Sequence, residues 1–540
     1  MALIEHGVIG LFLISACLPA ADLAKEHTKE LTREGNRWWS RIQVVADDKM
    51  EGRNTGSEGY RRAAQYVAGE FERAGLRPAG TSNYFQPVKF TVTQIVEKDS
   101  SLALVKGGQV TPLALGDDAA LNVRAGLAPR YEAEAVFCGY CLVIPEYKID
   151  DLAGLDVKGK VVVYISGGPP GVPSELRAHY SSGGERAAAL RRAGVTGSVT
   201  IANPKSMDIP WERSTLSRLN ATMSLADAGS DEQSGMVFAA RINPASANKV
   251  LAASGHTFEE LLALADAGKP VPHFPLNLSF RATETLTSST LESPNVVGIY
   301  PGTDPKLKDQ YVIFSAHLDH LGVGGAINGD SIYNGAMDDG SGIASILEIA
   351  QMLKEQKIKL KRSVLFMAAT AEEKGELGSR YFANHSTVPR QAMVADLNLD
   401  MFLPLFPLKY LEVQGVNEST LGSDIREAAK KAGVIIQADK EPDRNLFIRS
   451  DQYSYVQQGV PALAFKFGYE LGSPEEKIAL AWRHDRYHAP SDDVNQPVDK
   501  VAAALFNRIL MDTGVRVANA PDRPHWLPNS FFKRFEKSGS

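Results

Sequence analysis

Imidazoles and carboxylates recur at five places in the second half of this chain, each in a setting that suits metal binding. They are His317 in Ser315-Ala316-His317-Leu318-Asp319-His320, Asp338 in the glycine-rich run 334–342, Glu373 in the Glu372-Glu373 pair, Asp400, and His488 in Tyr487-His488-Ala489-Pro490-Ser491-Asp492. Two imidazoles and three carboxylates suit zinc, which takes nitrogen and oxygen ligands at about 2.0–2.2 Å. Five such residues exceed what one catalytic zinc needs, so two Zn2+ sharing a carboxylate is the expected arrangement. Singly each residue is ambiguous: an Asp-Asp pair in a glycine loop often caps a helix, and a Glu-Glu pair is often solvated. Their common placement carries the reading.

That placement follows from the elements around them. From about residue 293 the pattern alternates. It runs strand 310–316, helix 341–354, strand 363–369, helix 376–384, strands 394–400 and 409–414, helix 420–432, strand 462–467 and helix 498–514. Such alternation predicts βαβ units, a mostly parallel mixed sheet and a three-layer α/β/α architecture. His317, Glu372 with Glu373, and Asp400 all fall where strands end, and open α/β sheets bind ligands outside the carboxyl ends of their strands. The glycines around Asp338 let backbone approach a ligand closely. Upstream, 59–75 reads as an amphipathic helix with Ala63, Ala64, Val67 and Phe71 on one face.

Between about 125 and 285 the texture changes to valine-rich strands among Gly/Pro/Ser-rich turns, the mark of a small β-rich domain inserted into a larger one. The expected organisation is a leader at 1–21, a main domain split into 28–124 and 286–519, an insert at 125–285, and a tail at 520–540. With 540 residues, at least two domains are expected. A net charge of −6 and the absence of a basic run or phosphate loop argue against nucleic acid as a partner. Three cysteines cannot build a disulfide scaffold; Cys138 and Cys141 read as two buried thiols or one local disulfide. Gly7 to Cys17 has the length of a signal h-region and is too short to span a membrane, and Ile14-Ser15-Ala16-Cys17 is similar to a lipobox. Export is expected, to the periplasm, the medium or the cell envelope, with a lipid on Cys17 as one form of anchoring. Glu5 and His6 make an unusual leader start.

The motifs HLDH, GAMDDGSG, TAEEKGELGS, LNLDMF and YHAPSDD, in that order, resemble the zinc exopeptidases of the M28 family over roughly residues 37–95 and 290–515. The resemblance implies that His317 and Asp400 hold one zinc, Glu373 and His488 the other, and Asp338 bridges them, leaving Asp339 as a loop or cap residue. The insert resembles a protease-associated (PA) domain in its 150–162 and 193–202 stretches, and it would help substrate access. Peptide hydrolysis needs an activated water, and Glu372, free beside a ligand, is the expected general base. Asp319 is expected to accept the second ring N–H of His317. By resemblance, Tyr487 donates to the oxyanion, while Arg449 and Asp451 belong to a substrate-side motif. His320 and His484 read as hydrogen-bonded loop residues, with His320 near the cleft.

An aminopeptidase acting on peptides is the expected function. A carboxypeptidase or dipeptidase on the same scaffold is the alternative, to be decided by where Arg444, Arg449, Arg483 and Arg486 lie. A glutaminyl-cyclase-like transferase uses one zinc, and a non-catalytic binding protein would have lost ligands; the complete set argues against both.

Overall fold

The computed structural model describes residues 20–123, 127–207, 209–226, 236–441, 444 and 446–536. The leader reading of 1–21, Cys17 included, lies outside the described residues apart from its last two positions. The larger of two main sheets has ten strands. Its centre is parallel: Tyr311–His317 lies between Ser363–Ala369 and Met393–Asn398, and Ala462–Gly468 follows Met393–Asn398. Antiparallel strands flank this centre, Leu286–Tyr300 on one side and Tyr410–Gln414 on the other.

Every residue of Tyr311–His317 and Ser363–Ala369 is buried, as parallel strands covered on both faces require. Alternate side chains go to opposite layers. Val312, Phe314, Val364 and Phe366 join the large core under helices Ala20–Val45, Gly340–Glu355 and Lys500–Asn519. Ile313, Leu365 and Met367 pack on the other side with Phe382 of Leu377–Asn384 and Tyr455 of Gln452–Val456. The three-layer mixed α/β expectation holds. The helix Glu58–Arg73 buries Ala63, Ala64, Val67 and Phe71, and the Ser57 hydroxyl caps its start by accepting from the Tyr60 N–H.

A second, eight-stranded sheet has a parallel heart, Arg130–Cys138, Val161–Ile165, Gly197–Ile201 and Phe238–Ile242. It also recruits Ser101–Lys106, Gln109–Leu113 and Ala119–Leu121, so the boundary expected at residue 125 falls inside this sheet. Phe85–Ile95 and Leu286–Tyr300, paired over eleven residues, form the ribbon that leads from one sheet into the other. Thr222–Leu225, from the middle of the insert, returns to pair with Phe85–Ile95 at the edge of the main sheet. Cys138 and Cys141 are joined as a local disulfide. Among the described residues no helix is long and apolar enough to cross a membrane.

Candidate metal centre

His317 is the last residue of its strand, and its Nδ1 lies 3.0 Å from the Asp319 backbone carbonyl. That contact leaves Nε2 to face Asp338 Oδ1 at 3.2 Å and Asp400 Oδ1 at 3.7 Å. Asp338 sits in the loop before helix Gly340–Glu355. The buried Asp492 carboxylate accepts from the Met337 and Asp338 N–H groups, each at 3.0 Å, and Asp339 caps the helix by accepting from Gly342 N–H. At Gly335 a Cβ would fall 2.1 Å from the Asp338 carbonyl oxygen and 2.6 Å from the His320 ring, so this turn admits only glycine. On the far side, His488 Nε2 is 3.3 Å from Asp338 Oδ2 and 3.4 Å from Glu373 Oε2. All five residues singled out in the sequence therefore converge.

A sixth joins them. His320 is fully buried, and its Nδ1 lies 2.8 Å from Glu373 Oε1. Two groups have the spacing to hold an ion, His317 with Asp338 and Asp400, and His320 with Asp338 and Glu373; Asp338 is common to both. Both His320 ring nitrogens, Asp338 Oδ2 and Glu373 Oε1 are buried without a hydrogen-bond partner. Unpaired buried polar atoms are costly, and a cation between them removes the cost, so this donor set fits divalent metal. His320 was expected to be a hydrogen-bonded loop residue; its ring instead faces the Glu373 and Asp338 carboxylates. The signal was the second His of the HLDH run, read as a spare.

Glu372 shares a small cavity of about 60 Å³ with His317, Asp338, Glu373, Asp400, Tyr487 and His488. Burial, reinforced by the Asp400, Glu373 and Asp451 carboxylates and opposed by His317, holds its carboxyl well above the usual carboxylate range. Two expectations need correction. The Asp319 carboxylate does not meet His317; the backbone carbonyl two residues on takes that place. Its oxygens instead accept from the Glu372 backbone N–H at 3.0 Å and the Thr55 hydroxyl at 2.9 Å. Asp451 is fully buried before the short helix Gln452–Val456 and is not among the residues that line this cavity, though its charge bears on Glu372. Burial pushes Asp451 up to about 7.

Arg449, Arg444 and Tyr487 do line the cavity, and Tyr487 lies against the His488 ring with centroids 4.0 Å apart. Arg483 turns away to Glu441, at 2.8 Å, and the half-buried Arg486 donates to the Ser491 carbonyl.

The buried Arg53 carried no sequence signal. Its guanidinium donates to the carbonyls of Leu318 at 2.8 Å, Val45 at 2.7 Å and Gly335 at 3.0 Å, and to that of Asn334. It thereby ties the His317 loop to the Asp338 loop. A lone arginine 264 positions before His317 in a helix-rich stretch has no pattern that marks it.

Residues 295–513 match Peptidase family M28. Among curated proteins the chain is similar to "Probable leucine aminopeptidase 2" of Aspergillus fumigatus, 28% identical over 242 residues, 42% of this chain and 45% of that one. It is also similar to "Carboxypeptidase Q" of Bos taurus, 34% identical over 104 residues, 19% of this chain and 20% of that one. The alignments thus span less than half the length of these relatives. Among solved structures it shares the fold of "Aminopeptidase from Aneurinibacillus sp. strain AM-1", with TM-score 0.54 and 19% identity over 91% of this chain and 95% of the other.

Proposed function

We propose that this protein, whose residues 295–513 match Peptidase family M28, is a two-zinc exopeptidase that releases N-terminal residues from peptides. The observation that carries this reading is the pair of ligand groups joined through Asp338, with Glu372 on the same small cavity. In it His317 and Asp400 hold one zinc, Glu373 and His488 the other, and Asp338 both; His320 completes the second set. When bound, the zinc pair supplies the Lewis acidity that polarises the scissile carbonyl and acidifies water.

The protein's own groups do the rest. Glu372 takes the proton of the attacking water on its carboxylate and delivers it to the leaving amine nitrogen. Asp319 holds the Glu372 backbone in place. The Tyr487 hydroxyl donates to the oxyanion as charge develops there. The carboxylates around the centre suit a free α-ammonium. The second reading, a carboxypeptidase or dipeptidase, is favoured by Arg444 and Arg449 on the cavity wall. We read the second sheet as a protease-associated domain that shapes substrate access, and the protein as exported, which the Cys138–Cys141 disulfide supports.

One panel separates these readings. The zinc-loaded protein is incubated with aminoacyl-arylamides, and with dipeptides free or blocked at the C-terminus, with and without a chelator. Chelator-sensitive release from arylamides is expected. Cleavage confined to dipeptides with a free C-terminus would favour the carboxypeptidase or dipeptidase reading instead.

A further inference from the structure

A second cavity, of about 390 Å³, shares Glu373, Arg449, Tyr487 and His488 with the metal centre. Much of its remaining wall comes from the insert, through Trp211, Arg213, Leu216 and Arg241. Its volume is that of a small-ligand site. Arg213, Arg241 and Arg449 line it, with Glu373 as the carboxylate among its described lining residues.

Arg213 is the unusual member. Its Nε is buried without a hydrogen-bond partner, its Nη2 donates at 3.4 Å to the Arg483 carbonyl, and burial, opposed by Asp485 and Tyr333, lowers its affinity for its proton. A guanidinium half withdrawn from water without a bonded carboxylate is unfavourable unless something anionic meets it. Beside it the Trp211 ring is fixed, its Nε1 donating to the Gly116 carbonyl at 2.8 Å, and the Arg241 guanidinium lies 5.7 Å from the ring centroid. Leu216 extends the apolar surface.

We propose that this cavity receives the C-terminal end of a short peptide substrate, its free carboxylate on Arg213 and its last side chain against Trp211 and Leu216. The inference rests on the peptidase reading and narrows the substrate class to short peptides with a free C-terminus. An amidated or longer chain would place a neutral group beside the half-buried guanidinium and forfeit the charged contact. The scissile bond is still attacked at the metal centre, from the N-terminal end.

The test uses the full zinc-loaded chain and compares kcat/KM for Leu-Phe, Leu-Gly-Phe and Leu-Gly-Gly-Phe, each as free acid and as C-terminal amide. At one or more lengths the free acid should be preferred by about tenfold or more, chiefly through KM, the size of a hydrogen bond to a charged group. Arg213→Gln should bring that ratio close to one, and Arg213→Lys should restore part of it. Arg281→Gln, which removes an exposed ion pair with Glu132 on the second sheet, should leave the ratio as it was. Equal rates for acid and amide at every length overturn the proposal whatever the variants do, and so does a ratio that survives Arg213→Gln. Chelator-sensitive arylamide hydrolysis in the same preparation shows that the peptidase reading stands even then; its loss would mean that the reading itself had failed.

Discussion

Glu372 and Glu373 are neighbours in sequence with opposite surroundings. Glu373 faces two imidazoles, which hold its carboxyl well below the usual range against the effect of burial, while burial, joined by neighbouring carboxylates and opposed by His317, holds Glu372 well above it. One is therefore suited to remain an anionic ligand and the other to carry a proton. Glu372→Gln should keep its zinc, measured by elemental analysis, while kcat falls about 10²–10⁴-fold; near-normal turnover would remove Glu372 from the chemistry. His320 gives an independent residue-scale prediction. His320→Ala should weaken zinc binding about 10–100-fold in a competing-chelator titration, whereas His484→Ala, which alters an exposed ring paired with Asp485, should not. Equal affinity in both variants would return His320 to a packing role.

At the scale of elements, the centre depends on loops from several strands meeting at one sheet edge, and Arg53 and Asp492 hold those loops together. Arg53→Met removes the donor from four buried carbonyls. It should cost about 3–5 kcal/mol in urea unfolding. A loss under 1 kcal/mol would mean that the loops hold themselves. The strands and helices themselves were legible. Helix 341–354 is Gly340–Glu355, strand 363–369 is Ser363–Ala369, and strand 394–400 stops two residues early at Asn398. Long apolar runs with clear caps give such bounds. Thr222–Leu225 was not legible as a main-sheet strand, because a four-residue edge strand carries no sign of its distant partner. The Asp319 carboxylate was misplaced for a similar reason: spacing of two residues cannot say whether a side chain or a backbone carbonyl reaches the ring.

For the whole molecule, the C-terminal tail packs against parts of both large units. It docks: Trp526 and Phe532 are buried with Phe447, Ile448 and Tyr453 from the larger-sheet region and Ala178 from the smaller-sheet region, and Trp526 Nε1 donates to the Gly459 carbonyl at 3.0 Å. Trp526→Ala should cost about 3–5 kcal/mol, with faster amide exchange in 520–536; unchanged exchange there would mean the tail is held otherwise. His179, in the insert, bonds the Tyr453 hydroxyl at 2.7 Å and packs on Phe531 of the tail. Burial and the nearby Arg534, opposed by Glu146, press its imidazole down to about 4 from an ordinary value of 6.5. It is neutral when folded and protonates more readily when unfolded. Its stabilisation is therefore complete above about pH 6.5 and is lost as pH falls towards 4, by at most about 3 kcal/mol. Unfolding free energies measured between pH 7 and 4 should fall more steeply for the native protein than for His179→Gln; parallel curves would exclude this histidine.

The sequence by itself determined the alternating βαβ pattern and the five residues that meet at the strand ends, because periodicity and chain order are local properties that survive without coordinates. It also indicated a second, β-rich unit. Only the tertiary structure decided what depends on distance between remote segments. It set His320 against Glu373, Arg53 across two loops, Asp451 outside the cavity lining, and the insert's Arg213 and Trp211 in a cavity that shares its wall with the metal centre. Those contacts join residues up to several hundred positions apart. Packing brings them together, and no spacing in the chain records them.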